Sequence, residues 1–182
     1  MPTPRVVRES VTIHASLARC FALSTRVELV KRTLGMNLVG GTTSGHIGPN
    51  SRVVWKGWKF GLPTQHHTLI TGFSEPHAAA ALGELHAEAA GQPVAWFQDS
   101  QERGRFAFFQ HDHYFREARD AGGSPVTVLE DEVRFALPFG PLGALVGKLI
   151  LGPHILKLAR QRFAMIKDLA EGDGWHEWTD QP

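Results

Sequence analysis

The chain is poor in the features that most directly announce a function. Its 182 residues include one cysteine, Cys20, which excludes an intramolecular disulfide. The neighbours Ala18 and Arg19 carry no nucleophile signature, so Cys20 is expected to be a small buried residue. Neither sign of charge dominates: 19 Lys and Arg against 18 Asp and Glu give a formal net charge of +1. Nothing therefore drives the chain electrostatically toward nucleic acid, and no nucleic-acid partner is expected. No apolar run reaches the ~20 residues of a membrane span. The longest, Pro141 to Leu151, is too short and carries Lys148. Met1 to Arg8 lacks the apolar segment of a secretory signal, so a cytoplasmic location is expected. There is no internal repeat and no low-complexity linker.

What is there can build a core. Hydrophobic residues make up 42% and charged residues 20%, a globular composition whose length suits one domain. Arg5 to His14 alternates, with Val7, Val11 and Ile13 on one face, as a half-buried strand does. Ser16 is placed to cap a short helix, and Thr25 to Glu28 has the spacing of a capping box that opens a second, which Gly35 ends. Strands are then expected over Met36 to Thr43, Arg52 to Phe60, Thr64 to Phe73, Val94 to Ser100, Arg105 to Glu117 and Val126 to Leu137. Short connections between successive strands imply antiparallel pairing. The alanine-rich stretch 76–93 favours helix over His77 to Ala90.

From Phe139 onward the chain reads as one long helix. Leu145, Leu149, Leu156, Phe163, Ile166 and Leu169 form its apolar face, and Pro153 should interrupt it near Gly152. Gly172 to Gly174 ends it, and residues 173–182 are expected to fray. Segregated strands and helices argue for an α+β fold, a curved antiparallel sheet of about six or seven strands whose inner face only the last helix is large enough to cover.

Polar residues on the inner face mark the candidate site. Leu129, Asp131, Val133, Phe135 and Leu137 share one face of the last strand, which puts an acid among large apolar groups. Phe109, His111, His113 and Phe115 share one face of the strand before it, with Gln110, Asp112 and Arg116 turned to water. Buried polar groups are costly unless partnered, and a histidine and a carboxylate partner each other well. Trp55, Trp58 and Trp96, also on strands, are candidates for lining a cavity, as is Leu149 on the helix. His66 and His67 are adjacent and point to opposite faces, so at most one is interior.

The order of elements resembles the START-related SRPBCC superfamily, with its helix-grip fold. Ser10-Val-Thr-Ile13 with Ala15 and Phe21 is similar to its first strand and helix, and Val53-Val-Trp55 through Gly61 to its third strand. Phe97-Gln-Asp99-Ser-Gln101 with Arg103 to Phe106 resembles its fifth-strand hairpin, and His111-Asp-His113-Tyr-Phe115 an H-x-H-x-F strand of a bacterial branch. Asp131-Glu-Val133 followed by Leu137 to Gly143 resembles the last strand entering the long helix. Two features depart: the 76–93 segment is longer than the connection expected there, and Arg105 stands where proline is expected.

The resemblance implies an apolar cavity between sheet and helix, and a small hydrophobic ligand such as a lipid, quinone or polyketide. No cofactor is expected. Two other readings stand beside ligand binding. One is a cyclase or dehydratase in which His111 or His113 acts as base, oriented by Asp131. The other is a metal site on His111, His113 and Glu117, whose offsets of two and six put all three on one strand face. Transient membrane contact through Phe139, Leu142 and Val146 near Lys148 is a further expectation.

Overall fold

A computed structural model describes residues 3–78 and 93–179. The chain runs β1 (Arg5–Ile13), α1 (Leu17–Thr25), α2 (Val27–Leu34), β2 (Asn37–Gly41), β3 (Arg52–Lys59), β4 (Leu62–Ala78), β5 (Pro93–Arg103), β6 (Phe108–Arg119), β7 (Pro125–Ala136), α3 (Gly140–Val146), a π-helical turn (Gly147–Leu151) and α4 (Gly152–Glu171). The strands form one antiparallel sheet in the order β1-β7-β6-β5-β4-β3-β2. β1 joins β7 although the two are far apart in sequence, so the sheet is completed only when both chain ends have formed.

The local signals hold with two exceptions. Ser16 caps α1 by accepting a hydrogen bond from the Arg19 N–H, and Gly35 ends α2 in the left-handed region. The capping box at α2 does not form. The Thr25 hydroxyl donates to the Ala22 carbonyl and meets His46, while Glu28 accepts from the Gly45 N–H. Both side chains are engaged by the 42–51 loop, through His46 and Gly45. The second exception is the tail. A short 3₁₀ turn, Gly174–Glu177, buries Trp175 to 9% exposure, and the Arg19 guanidinium lies 3.9 Å from its ring centroid. The chain is thus docked as far as Thr179 rather than frayed from 173. The helix expected over His77 to Ala90 meets the end of β4 at residues 77–78, and the rest of it lies outside the described residues.

The inner face of the sheet is divided into a dry end and an open end. At the dry end Phe21 of α1 meets Phe73, Phe97 and Phe115 edge-on at 5.4, 6.1 and 5.4 Å between centroids, a geometry aromatic pairs favour. Ile13, Leu129, Phe163, Ile166 and Ala170 complete this cluster. Phe115, expected to line a cavity, is instead 1% exposed inside it, because α1 fills that end of the sheet.

The long helix is gripped by its second half. Ala159, Arg162, Phe163, Ile166 and Ala170 of α4 face the sheet. Its first half does not continue the same stripe. Pro153 lacks an N–H and its ring crowds the preceding turn, and the helix widens there, the Gly152 N–H donating to Gly147 five residues back. The widened turn shifts the register, so Leu145 and Leu149 point away from the face that carries Phe163. Leu149 is 63% exposed and does not line the interior. Taken without a break, Gly140–Glu171 is long and apolar enough to cross a membrane by length and composition, a stretch that extends well past the apolar run ending at Leu151.

Candidate functional site

At the open end a cavity of about 520 Å³ lies between the sheet, α2 and the π-helical turn. The strands build its walls by alternation. β3 contributes Val53 and Trp55, β4 His66, Thr68 and Ile70, β5 Phe97 and Asp99, β6 Phe109, His111 and His113, and β7 Asp131 and Val133. Opposite them stand Ile155, Leu158, Ala159 and Arg162 of α4. The mouth is rimmed by exposed groups. Phe60 and Leu62 come from the tight β3–β4 turn, in which Phe60 and Gly61 both take positive φ, the backbone that a two-residue hairpin needs. Arg105 comes from the β5–β6 loop, and Val146 and Ile150 from the helix.

Two tryptophans expected in this wall are elsewhere. Trp58 is 70% exposed, since it lies an odd step from Trp55 and so on the other face of β3. Trp96 alternates with the inward Ala95 and Phe97. Its ring covers Gly72 on the outer face, where an added Cβ would sit 2.3 Å from it. Trp55 and Phe109 do line the cavity, and of the adjacent histidines His66 does while His67 pairs outside with Gln65. Asp112 points outward as expected, yet it is buried there under Gln98, Gln110 and Arg134.

The inner end of the cavity is closed by five charged or titratable groups in contact. Asp131, 1% exposed, is held by Arg162, whose Nη1 donates to its two oxygens at 2.9 and 3.1 Å. Asp131 Oδ1 also lies 2.7 Å from His113 Nδ1, and Oδ2 lies 3.3 Å from His111 Nε2. On the far side of the two rings stands Asp99. Its Oδ2 is 3.4 Å from His113 Nε2 and 3.7 Å from His111 Nδ1. His113 stacks on Phe97 with centroids 4.1 Å apart, so it marks the boundary between the aromatic cluster and the cavity. Arg162 Nη2 is buried with no hydrogen-bond partner among the described residues, and the buried His111 Nε2 has only its 3.3 Å contact with Asp131.

The electrostatics follow from this packing. Burial opposes the charged form of both aspartates and both histidines. For Asp131 it is outweighed by His113, Arg162 and His111, which hold the carboxyl well below the usual carboxylate range. Asp99 is likewise buried, yet His113 and His111 hold it below its ordinary value. The histidines diverge. Burial lowers His111, but Asp131 and Asp99 together raise it; His113 is lowered by burial and by its neighbour His111.

Sequence reasoning had His111, His113 and Asp131 together and missed Asp99 and Arg162. Asp99 shares the parity of Ala95 and Phe97 and was legible by that rule. Arg162 was legible too, three residues from Ala159 and four from Ile166 on the buried stripe. Glu117 does not join. It lies four residues beyond His113, about 13 Å along the strand, with Phe115 and the aromatic cluster between. The three groups whose ligand atoms do converge, within 4.8 Å of one another, are Asp99, His111 and His113.

No family model and no curated protein matches the sequence. Solved structures match its shape. The TTHA0849 protein of Thermus thermophilus is similar over 90% of this chain and 95% of its own, at TM-score 0.57 and 13% identity. The jhp0584 protein of Helicobacter pylori is similar over 92% and 89%, at TM-score 0.56 and 10% identity. The chain has the helix-grip fold. A third helix-grip structure, norcoclaurine synthase of Thalictrum flavum in complex with dopamine and hydroxybenzaldehyde, covers 91% of this chain and 86% of its own, at TM-score 0.55 and 8% identity. At these identities the likeness carries the fold alone.

Proposed function

We propose that the chain binds one small, mainly apolar molecule with an oxygen-bearing polar end, seated head-first in the helix-grip cavity. The observation that carries this reading is a roomy apolar cavity ending on a charged cluster in which Arg162 Nη2, a buried donor, lacks a partner among the described residues. An unpartnered buried donor is costly, and a carbonyl, phenol or carboxylate oxygen would satisfy it. The volume falls in the ~300–1,000 Å³ range of small-molecule sites. Trp55, Phe106 and Phe109 in the wall favour a flat or unsaturated body, such as a quinone or polyketide, over a saturated one. The aromatic ligands named for the norcoclaurine synthase complex agree with that preference.

Phe139, Leu142, Lys148 and Leu149 stand exposed on the same helical stretch as Val146 and Ile150, which rim the mouth. They support entry of the ligand from an apolar surface, a transient membrane contact. Acid–base turnover of the bound molecule is a second reading, favoured by His113, whose ring Asp131 fixes at 2.7 Å. Native mass spectrometry of the gently purified protein tests the main reading. The expected spectrum carries one extra small mass per chain, or acquires one after incubation with a naphthoquinone. A spectrum that stays ligand-free under both conditions refutes it.

A further inference from the structure

Hydrogen bonding within the cluster leaves one arrangement unexplained. His111 and His113 each turn one ring nitrogen toward Asp131 and the other toward Asp99. A carboxylate only accepts, and Asp131 approaches the rings at 2.7 Å and 3.3 Å, closer than Asp99 does. A metal ion on the Asp99 side would fix the ring protons on the Asp131 side, at His113 Nδ1 and His111 Nε2; without one, Arg162 Nη1, 3.1 Å from His113 Nδ1, competes for that nitrogen. The other two nitrogens, His113 Nε2 and His111 Nδ1, face Asp99 Oδ2 at 3.4 and 3.7 Å. Three side chains that can each offer a metal ligand thus converge, their ligand atoms within 4.8 Å of one another.

We propose that Asp99 Oδ2, His111 Nδ1 and His113 Nε2 bind one divalent first-row transition metal ion, with Asp131 as the outer carboxylate that orients both rings. Ligand atoms ~2.0–2.2 Å from a common ion lie roughly 3.0–3.4 Å apart, so the observed spacings need to close by a few tenths of an ångström at most along the Asp99 contacts. An outer carboxylate is a common partner of a metal-bound imidazole, and here Asp131 faces both rings and is itself clamped by Arg162. Two imidazoles and one carboxylate suit zinc, iron, cobalt or nickel better than magnesium or calcium. Three protein ligands leave positions open, and these face the cavity, where the polar end of a bound molecule would reach them. The metal reading stands on the cluster alone and does not require that the cavity take an apolar ligand.

The test uses the full chain purified without a histidine tag, stripped with a chelator and titrated with Co²⁺. The expected result is one Co²⁺ per chain with visible d–d absorption. The chain has 10 histidines, so the site must be distinguished from surface binding. Asp99→Asn and His113→Gln should weaken Co²⁺ by more than the about 10–100-fold expected of Asp131→Asn. His67→Ala, on the outer face, should leave it unchanged. Asp99→Asn is nearly isosteric and keeps the test readable if a histidine variant fails to fold, which circular dichroism reports. Absence of stoichiometric Co²⁺ binding by the parent protein overturns the proposal. So does a folded Asp99→Asn variant that loses less than tenfold. Fluorescent-ligand binding by the chelator-stripped protein reads the cavity separately, so each idea fails on its own measurement.

Discussion

Replacing Asp131 with asparagine removes one charge from an ion pair buried on both sides while keeping its shape. The pair is tight: Arg162 Nη1 lies 2.9 Å from Asp131 Oδ2, and both residues are buried. At an effective dielectric of about 20 their attraction is about 6 kcal/mol, which desolvation of the two ions largely offsets. The intact pair thus contributes little net stability, whereas the single substitution leaves the Arg162 cation buried beside unsatisfied neighbours. That orphaning should cost about 3–5 kcal/mol, a fall of roughly 6–20 °C in Tm for a chain of this size. Arg162→Met should cost a similar amount by orphaning Asp131. The double variant Asp131→Asn with Arg162→Met removes both charges and should be distinctly more stable than the two single losses added together. Urea denaturation of all four proteins, stripped of metal, completes the cycle. A single-variant loss below about 1 kcal/mol, or a double loss equal to the sum, would show that the two groups do not act as a buried pair.

Three further outcomes follow from other parts of the fold. Phe115→Ala opens a hole in the aromatic cluster against Phe21 and should cost about 3–5 kcal/mol by urea denaturation, while Trp58→Ala, at an exposed site, should stay within about 0.5 kcal/mol; equal losses would contradict the division of the inner face. Burial pushes the Cys20 thiol up to about 11, so the folded protein should resist a disulfide reagent at pH 8 and react only on unfolding, and rapid labelling of the native protein would place Cys20 elsewhere. Phe139→Glu with Leu149→Glu should abolish flotation with anionic liposomes without changing Tm, and flotation that persists would remove the mouth as the contact surface.

Much of the fold was legible because its signals are local. Alternation placed Asp131 with Leu129 and Val133, and His111 with His113, since a strand repeats every two residues whatever packs on it. The errors arise where that period is broken or where a distant element decides. The widened turn at Gly147–Leu151 adds a step that no heptad reading contains, which turned Leu149 outward. Phe115 has the right parity for the cavity, but α1, some ninety residues earlier in the chain, fills the space in front of it. Trp58 and Trp96 have the bulk of cavity-lining groups, but parity sends both outward. Arg162 was overlooked because charge on a helix suggests solvent; only the pairing of Asp131 across the cavity explains a buried guanidinium there. Asp120 caps the β6–β7 turn by accepting from the Gly122 and Ser124 N–H groups, a case where turn chemistry is readable directly from the Asp-Ala-Gly-Gly run.

The central claim is that an apolar molecule occupies the space between sheet and helix. Thr68 is buried and lines that space, so Thr68→Phe fills it from within, while Trp58 lies on the outer face. Titration of the metal-free protein with an environment-sensitive fluorescent fatty acid or naphthoquinone measures occupancy directly. The account predicts saturable binding of one probe per chain, lost in a folded Thr68→Phe variant and retained in Trp58→Ala. Binding that survives Thr68→Phe unchanged, or no saturable binding by the parent protein, would contradict it.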